Sequence, residues 1–472
     1  MHEAESAAQS NPRLPARTNL PEGMTDRVRN DWERFSISGL PEHLEEYLLN
    51  EYGLNVATEY AGLPIRNPWG KASGQLSMNL NQVREDVEAG LGFVVLKTVI
   101  AEDESGGQSM SAWAIKEARM VVETIAGASG ETGWTITWKG RGWWQSFDEY
   151  LALIRGARQI ADAAGTLIVP SCKYHLPSPG ESTWRTAEYE YTTTRILEAW
   201  FDAVGSPDGP MPLEKDFSPT LAGSELASVQ DCIRNWLHEV PRLIREGVAA
   251  FPRPDSLRVG LKVFNAMFDD DFQIDLLRSI HQADEAHRPD FFIYGNRLFN
   301  PDREFDGYRG VAFGGPDLSD RNLRVMTAFN QELDSFQCSA LERDLGRSAS
   351  RQQDEAGRDA ERPDVRSHAE RGNELRGHGS EPPLSWSATG NITTGKMAVE
   401  YARRGATSFQ LHTFFQLPAD QYRMKTGTRT QRALNELYFH PETGFVVWME
   451  HLRQTEALGP VIRLADLVKS TT

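Results

Sequence analysis

Apolar positions recur along the chain with two different periods, and the alternation between them is the first structural signal. "GFVVLKTVI" (Gly92–Ile100) is a continuous run rich in β-branched residues, the pattern of a strand buried on both faces, and "GWTITW" (Gly133–Trp138) reads the same way. "FDEYLALIRGARQIADAAG" (Phe147–Gly165) places apolar residues at helical spacing and ends in glycine. The strand "TLIVPSC" follows, then the amphipathic pattern "SVQDCIRNWLHEVPRLIREGVAAF", with a bend expected at Pro241. Strand and helix then alternate: "LRVGLKVF" and "FQIDLLRSIHQAD", "DFFIYGN" and "LSDRNLRVMTAFNQEL", "PLSWSATG" and "TGKMAVEYARRG", and the strand "TSFQLHTFF". Repeated βα units predict a mainly parallel sheet, either open or closed into a barrel, and the count suits an eight-stranded barrel with insertions.

The flanks break this rhythm. Residues 1–25 are polar with scattered prolines and are expected to be disordered, and 26–59 read as a helical N-terminal extension. The barrel is assigned to 60–340 and 384–465. Between these parts, Leu341–Pro383 is almost free of large apolar residues and is expected to be a charged, disordered insertion; an exposed charged helix is the alternative.

Composition narrows the function. The 472 residues carry a formal charge of −17, which argues against nucleic acid or an anionic membrane as partner. No apolar run approaches the length of a transmembrane helix, and the N-terminus has no secretory pattern, so a cytoplasmic protein is expected. Cys172, Cys232 and Cys338 are scattered, without metal-ligand spacing, and no metal is expected.

Four stretches could carry chemistry. In "GLPIRNPWGKASG", Ala72, Ser73 and Gly74 stand where a strand ends, and small residues there let a flat ring approach the backbone. Lys97 closes the next strand and Thr98 follows, so Lys97 points into a barrel mouth, or snorkels. Lys262 lies inside the apolar strand "LRVGLKVF" and needs an anionic partner, in a ligand or in an edge salt bridge. Asn296 follows another strand, and Gly314 and Gly315 open a helix, a pattern suited to phosphate but common without it. Finally Gly390 and Asn391 end one strand, and His412 and Thr413 end the next. In a barrel, the loops after strands seven and eight commonly form a phosphate site. His412 could donate to phosphate or simply pack.

Taken in order, "NPWGKASG", "AGLGFVVLKTV", "FDEYLALI", "VGLKVF", "GNRLF", "FGGPDLS", "ATGNITTG" and "GATSFQLHT" resemble the dihydroorotate dehydrogenase family and the related pyrimidine domain of dihydropyrimidine dehydrogenase. The resemblance implies a (β/α)8 TIM barrel of the FMN-linked oxidoreductase type. It implies that Ala72, Ser73 and Gly74 line the flavin, and that Lys97 and Thr98 lie near its ring and the substrate. Lys262 would meet the pyrimidine edge of the flavin. Gly314, Gly315, Gly390, Asn391, His412 and Thr413 would hold phosphate, with Asn296 nearby.

The departures fall in the substrate loops. The family's N-x-S-C-P-N stretch is matched by "LEKDFSPTLAG", where Asp216 and Thr220 replace asparagines, the cysteine is missing and Ser218 is the remaining proton-transfer candidate. An asparagine-rich contact is replaced by "KGRGWWQS", bringing Arg141, Trp143 and Trp144. A site that reads its ligand by hydrogen bonds discriminates strongly, so a substrate other than dihydroorotate is expected. The leading expectation is an FMN-dependent oxidoreductase acting on a small molecule, with a separate electron-transfer partner and a homodimer left open. The alternatives are a non-catalytic barrel serving as a binding or scaffold protein, and a flavin-free barrel enzyme using Lys262 as a Schiff base.

Overall fold

A computed structural model of the chain describes residues 13–116, 120–138, 142–204, 209–217, 230–253, 255–305, 307–335 and 384–468. The expected insertion 341–383 and residues 1–12 lie outside it. Eight parallel strands close on themselves: β1 (Trp69–Lys71), β2 (Phe93–Val95 with Val99–Ile100), β3 (Leu167–Val169 with Ser171–Lys173), β4 (Met211–Asp216), β5 (Leu257–Phe264), β6 (Phe291–Asn296), β7 (Ser385–Thr389) and β8 (Ser408–Leu411). Each pairs with its chain neighbours, and β8 returns to β1 through Phe409 opposite Trp69. β2 and β3 are each interrupted, yet pair in register on both sides of the break, Phe93 with Leu167 and Cys172 with Val99.

Helices alternate with the strands. After α1 (Glu22–Ser38) and α2 (Leu44–Tyr52) come α3 (Leu80–Glu88), α4 (Phe147–Asp162), α5 (Thr186–Asp202), α6 (Gln230–Gly247), α7 (Asp270–His281), α8 (316–335), α9 (Gly395–Ala402), α10 (Arg429–Phe439) and α11 (Phe445–Thr455). α6 buries a stripe of Ile233, Trp236, Leu237, Val240, Leu243 and Ile244 at helical spacing and runs on through Pro241. Side-chain caps mark several starts. Ser146 and Glu149 form a capping box on α4, and Thr394 accepts from the Met397 N–H at the start of α9.

The hairpin of Thr58–Tyr60 and Leu63–Ile65 plugs the N-terminal end of the barrel. Its Tyr60 packs among Phe93, Val95, Val169, Phe291 and Ile293 inside the strands, apart from the core between strands and helices. The C-terminal end is roofed instead by two antiparallel hairpins, Met120–Ala126 with Thr132–Trp138, and Leu298–Phe305 with Tyr308–Phe313.

Two expectations change here. "GWTITW" is no barrel strand: it forms half of the first roof hairpin, and its buried residues Ile136, Thr135 and Thr137 pack over the mouth. Residues 13–25, expected to be disordered, include the start of α1 and hold specific contacts with the barrel helices. α1 begins at Glu22, the Leu14 N–H donates to Glu400 Oε1 at 2.6 Å, and Arg13 pairs with Asp320 at 2.8 Å.

Candidate active site at the barrel mouth

All eight strands end around one cavity of about 640 Å³. Its walls include Ala72, Ser73, Lys97, Thr98, Lys262, Asn296, Gly314, Gly315, Gly390, Asn391, His412 and Thr413, residues that lie far apart in the chain. Gly74 stands directly behind them: a Cβ there would come 2.2 Å from His412 Nε2, so the glycine makes room for that ring. Ser218, Thr220 and Arg141 lie outside the described residues. Trp143 and Trp144 do not line the cavity. Trp143 is buried against Tyr150 and donates its indole N–H to the Ser146 carbonyl, while Trp144 lies under Lys116. The aromatic walls come from Trp113, Trp134, Phe299, Phe305 and Phe414 instead.

The floor is dense in charge. Lys97, Lys173 and Lys262 are only 2%, 2% and 5% exposed, and Asp216 is the carboxylate among the lining residues. Lys173 Nζ lies 3.3 Å from Asp216 Oδ2 and 4.7 Å from the centre of the Trp113 ring. Burial pushes the Lys97 ammonium down to about 8, with Lys173 adding to the fall and Asp216 opposing it. Burial also raises Asp216, but Lys173, Lys262 and Lys215 together outweigh it and hold its carboxyl below the usual range. Ser73, Thr98 and Ser171 form a hydroxyl chain with contacts of 2.8 and 2.9 Å.

Beneath the floor, Lys262 donates to Gln410 Oε1 at 3.2 Å and faces Glu214 Oε2 at 3.9 Å. The Gln410 amide and the Tyr60 hydroxyl both donate to Glu214 Oε1. Glu214 is fully buried, and burial raises its carboxyl against the pull of Lys262, Tyr60 and Gln410.

The rim has a different character. Gly315 (φ +101°) and Gly390 (φ +108°) occupy a backbone region open to glycine, and Asn391 (φ +52°) is left-handed as well. Gly314 and Gly315 lead straight into α8, and Gly390 and Asn391 precede α9. Asn391 Nδ2 donates to Ser319 Oγ at 3.0 Å in the first turns of α8, joining the two loops, while its buried Oδ1 has no hydrogen-bond partner. The roof is tied to this rim: the Gly314 N–H donates to Thr135 Oγ1 at 3.0 Å, and Arg297 donates to the carbonyls of Ala312 (2.9 Å) and Ile136 (2.5 Å). His412 is held well below the usual imidazole range by burial and by Arg297, Lys71, Lys97 and Lys262, so its ring stays neutral.

Sequence reasoning missed Lys173, Glu214, Gln410 and Arg297. Lys173 had a usable signal. It follows the apolar strand "TLIVPSC" as Lys97 follows "GFVVL". Glu214 also had one, in the three consecutive charges Glu214, Lys215 and Asp216 between apolar residues.

Among the described residues, His238, Glu239 and His287 group their ligand atoms within 4.8 Å on the outer surface near α6. The His238 and His287 rings stack at 3.9 Å and 20°, and both face Glu239 Oε1. No helix among the described residues is long and apolar enough to cross a membrane.

The chain is similar in structure to dihydroorotate dehydrogenase from Eimeria tenella, solved in complex with ferulenol. The TM-score is 0.51 at 13% identity, over 97% of each chain. No family model matches the chain, and no curated protein matches it in sequence. The fold is thus a TIM barrel like that of dihydroorotate dehydrogenase.

Proposed function

We propose that the chain is an FMN-dependent oxidoreductase acting on an acidic small molecule other than dihydroorotate. The observation that carries this reading is the meeting, in one cavity, of buried lysines on the floor with glycine turns and two helix starts on the rim. A flat anionic cofactor needs both: cations against its ring and side-chain-free backbone against its phosphate. The glycine cradle also has no room to spare, since a Cβ on Gly390 would come 2.9 Å from Asn322 Nδ2.

Gly314, Gly315, Gly390, Asn391, His412 and Thr413 would hold the phosphate, and Ala72 and Ser73 would border the ring. Bound FMN supplies a two-electron centre that exchanges a hydride with a substrate C–H bond. Lys262 stabilises negative charge at its edge of the cavity. Lys97, with its ammonium pushed down to about 8, can hold or release a proton near neutral pH. Among the described lining residues, Lys97, Lys173, Lys262, Arg297 and Arg309 outnumber the one carboxylate, Asp216, which favours a substrate bearing a carboxylate or similar anion. The two hairpins cover part of the mouth.

One observation favours the non-catalytic alternative. Asp216, where the resemblance expects a substrate-reading asparagine, is already engaged by Lys173. Anaerobic mixing of the FMN-loaded protein with acidic compounds bearing adjacent C–H bonds separates the two. Bleaching of the flavin absorption supports the oxidoreductase; retained FMN that no such compound reduces favours a binding protein.

A further inference from the structure

Glu214 has no place in that scheme, yet it is fully buried inside the barrel at the level just below Lys262. Its contacts tie it to Lys262. An ammonium cannot accept a hydrogen bond, so the Gln410 oxygen must face Lys262 and the Gln410 amide N–H must face Glu214. Tyr60, rising from the N-terminal plug, donates to the same Glu214 oxygen while accepting from the Gln410 amide at 3.1 Å. Two donors therefore converge on Oε1. Oε2 has no hydrogen-bond partner and lies 3.9 Å from Lys262 Nζ.

We propose that Glu214 is a positioning residue for Lys262: with Gln410 and Tyr60 it anchors the lysine, keeps it charged, and offsets part of the positive potential that Lys262 presents to the cavity. The proposal deepens the flavin reading and rests on it only for its redox consequence. A carboxylate behind the lysine weakens the stabilisation of a reduced, anionic ring, so Glu214 makes the bound cofactor harder to reduce.

The test is a double-mutant cycle with Glu214→Gln, Lys262→Met and the double variant. In FMN-loaded protein, Glu214→Gln is expected to raise the midpoint potential, and the rise is expected to vanish in the Lys262→Met background, where buried Glu214 without its cation takes up a proton. In FMN-free protein, acetic anhydride labelling of Lys262 at neutral pH, read by peptide mass, is expected to quicken several-fold in Glu214→Gln, because only the uncharged amine reacts. A folded Glu214→Gln with unchanged potential and unchanged labelling overturns the proposal. Should FMN fail to bind, the flavin reading falls alone and the labelling still decides this one. Should Glu214→Gln fail to fold, the double variant, which removes both charges, is expected to fold; its failure would overturn the pairing.

Discussion

The Lys173 ammonium at the end of β3 lies 3.3 Å from the Asp216 carboxylate at the end of β4 and faces the Trp113 ring. Three separate parts of the chain thus meet through one lysine. Replacing it leaves a carboxylate in a half-dry mouth with weaker compensation. Lys173→Met is expected to cost about 1–3 kcal/mol at pH 7. Asp216 has a depressed carboxyl in the folded protein, so its contribution is present above the unfolded value near 4 and is lost as pH falls below it. The variant and the parent should therefore differ in urea unfolding at pH 7 and converge as pH falls below about 4.

Lys97 works in the opposite sense. Its folded value of about 8 lies below the ordinary 10.5, so between these the unfolded chain binds more protons and stability rises with pH. At pH 7 the buried charge is a penalty of about 3 kcal/mol. Lys97→Met should stabilise the FMN-free protein at pH 7 by an amount of that order, with the gain fading by pH 10.5, while weakening ligand binding. Thermal unfolding across this range, paired with FMN titration, reads both effects.

A structural ion pair stands behind the mouth. Lys71 and Asp86 meet at 2.9 Å with side chains 4% and 3% exposed, and Thr430 bonds to both. Asp86→Ala strands the lysine charge and should cost about 3–5 kcal/mol, whereas Lys71→Met with Asp86→Leu should recover most of that loss. Chemical denaturation of the three proteins checks the asymmetry.

Legibility from sequence followed the physics of each element. β2, β3 and β5 to β8 were readable because buried parallel strands are continuous apolar runs, and α4, α6 and α7 because one face repeats at helical spacing. β4 was not: its Glu214, Lys215 and Asp216 look like a polar loop, and only the barrel interior and the mouth explain why a strand carries them. β1 spans three residues and shows no period. The hairpin at Thr132–Trp138 mimicked a core strand because it is buried by the mouth it covers. Residues around the cavity were found where glycine or lysine ended a recognisable strand. Gln410 and Arg297 were missed because their roles lie in contacts between segments distant in the chain.

The rim glycines make a separate claim. Gly390 sits at φ +108°, and an added Cβ would come 2.9 Å from Asn322 Nδ2 and from Leu318 Cδ2. Gly390→Ala should cost about 1–3 kcal/mol through backbone strain and crowding. FMN affinity should fall further than stability does, since the same turn faces the phosphate. Comparing melting temperatures with and without FMN separates the two losses.

The most direct measurement is the visible absorption of the purified protein after incubation with FMN and desalting, beside Lys262→Ala and Gly390→Ala. Flavin bands retained by the parent and lost or weakened in both folded variants are the predicted result. A well-folded parent that keeps no flavin would contradict the FMN site at this barrel mouth.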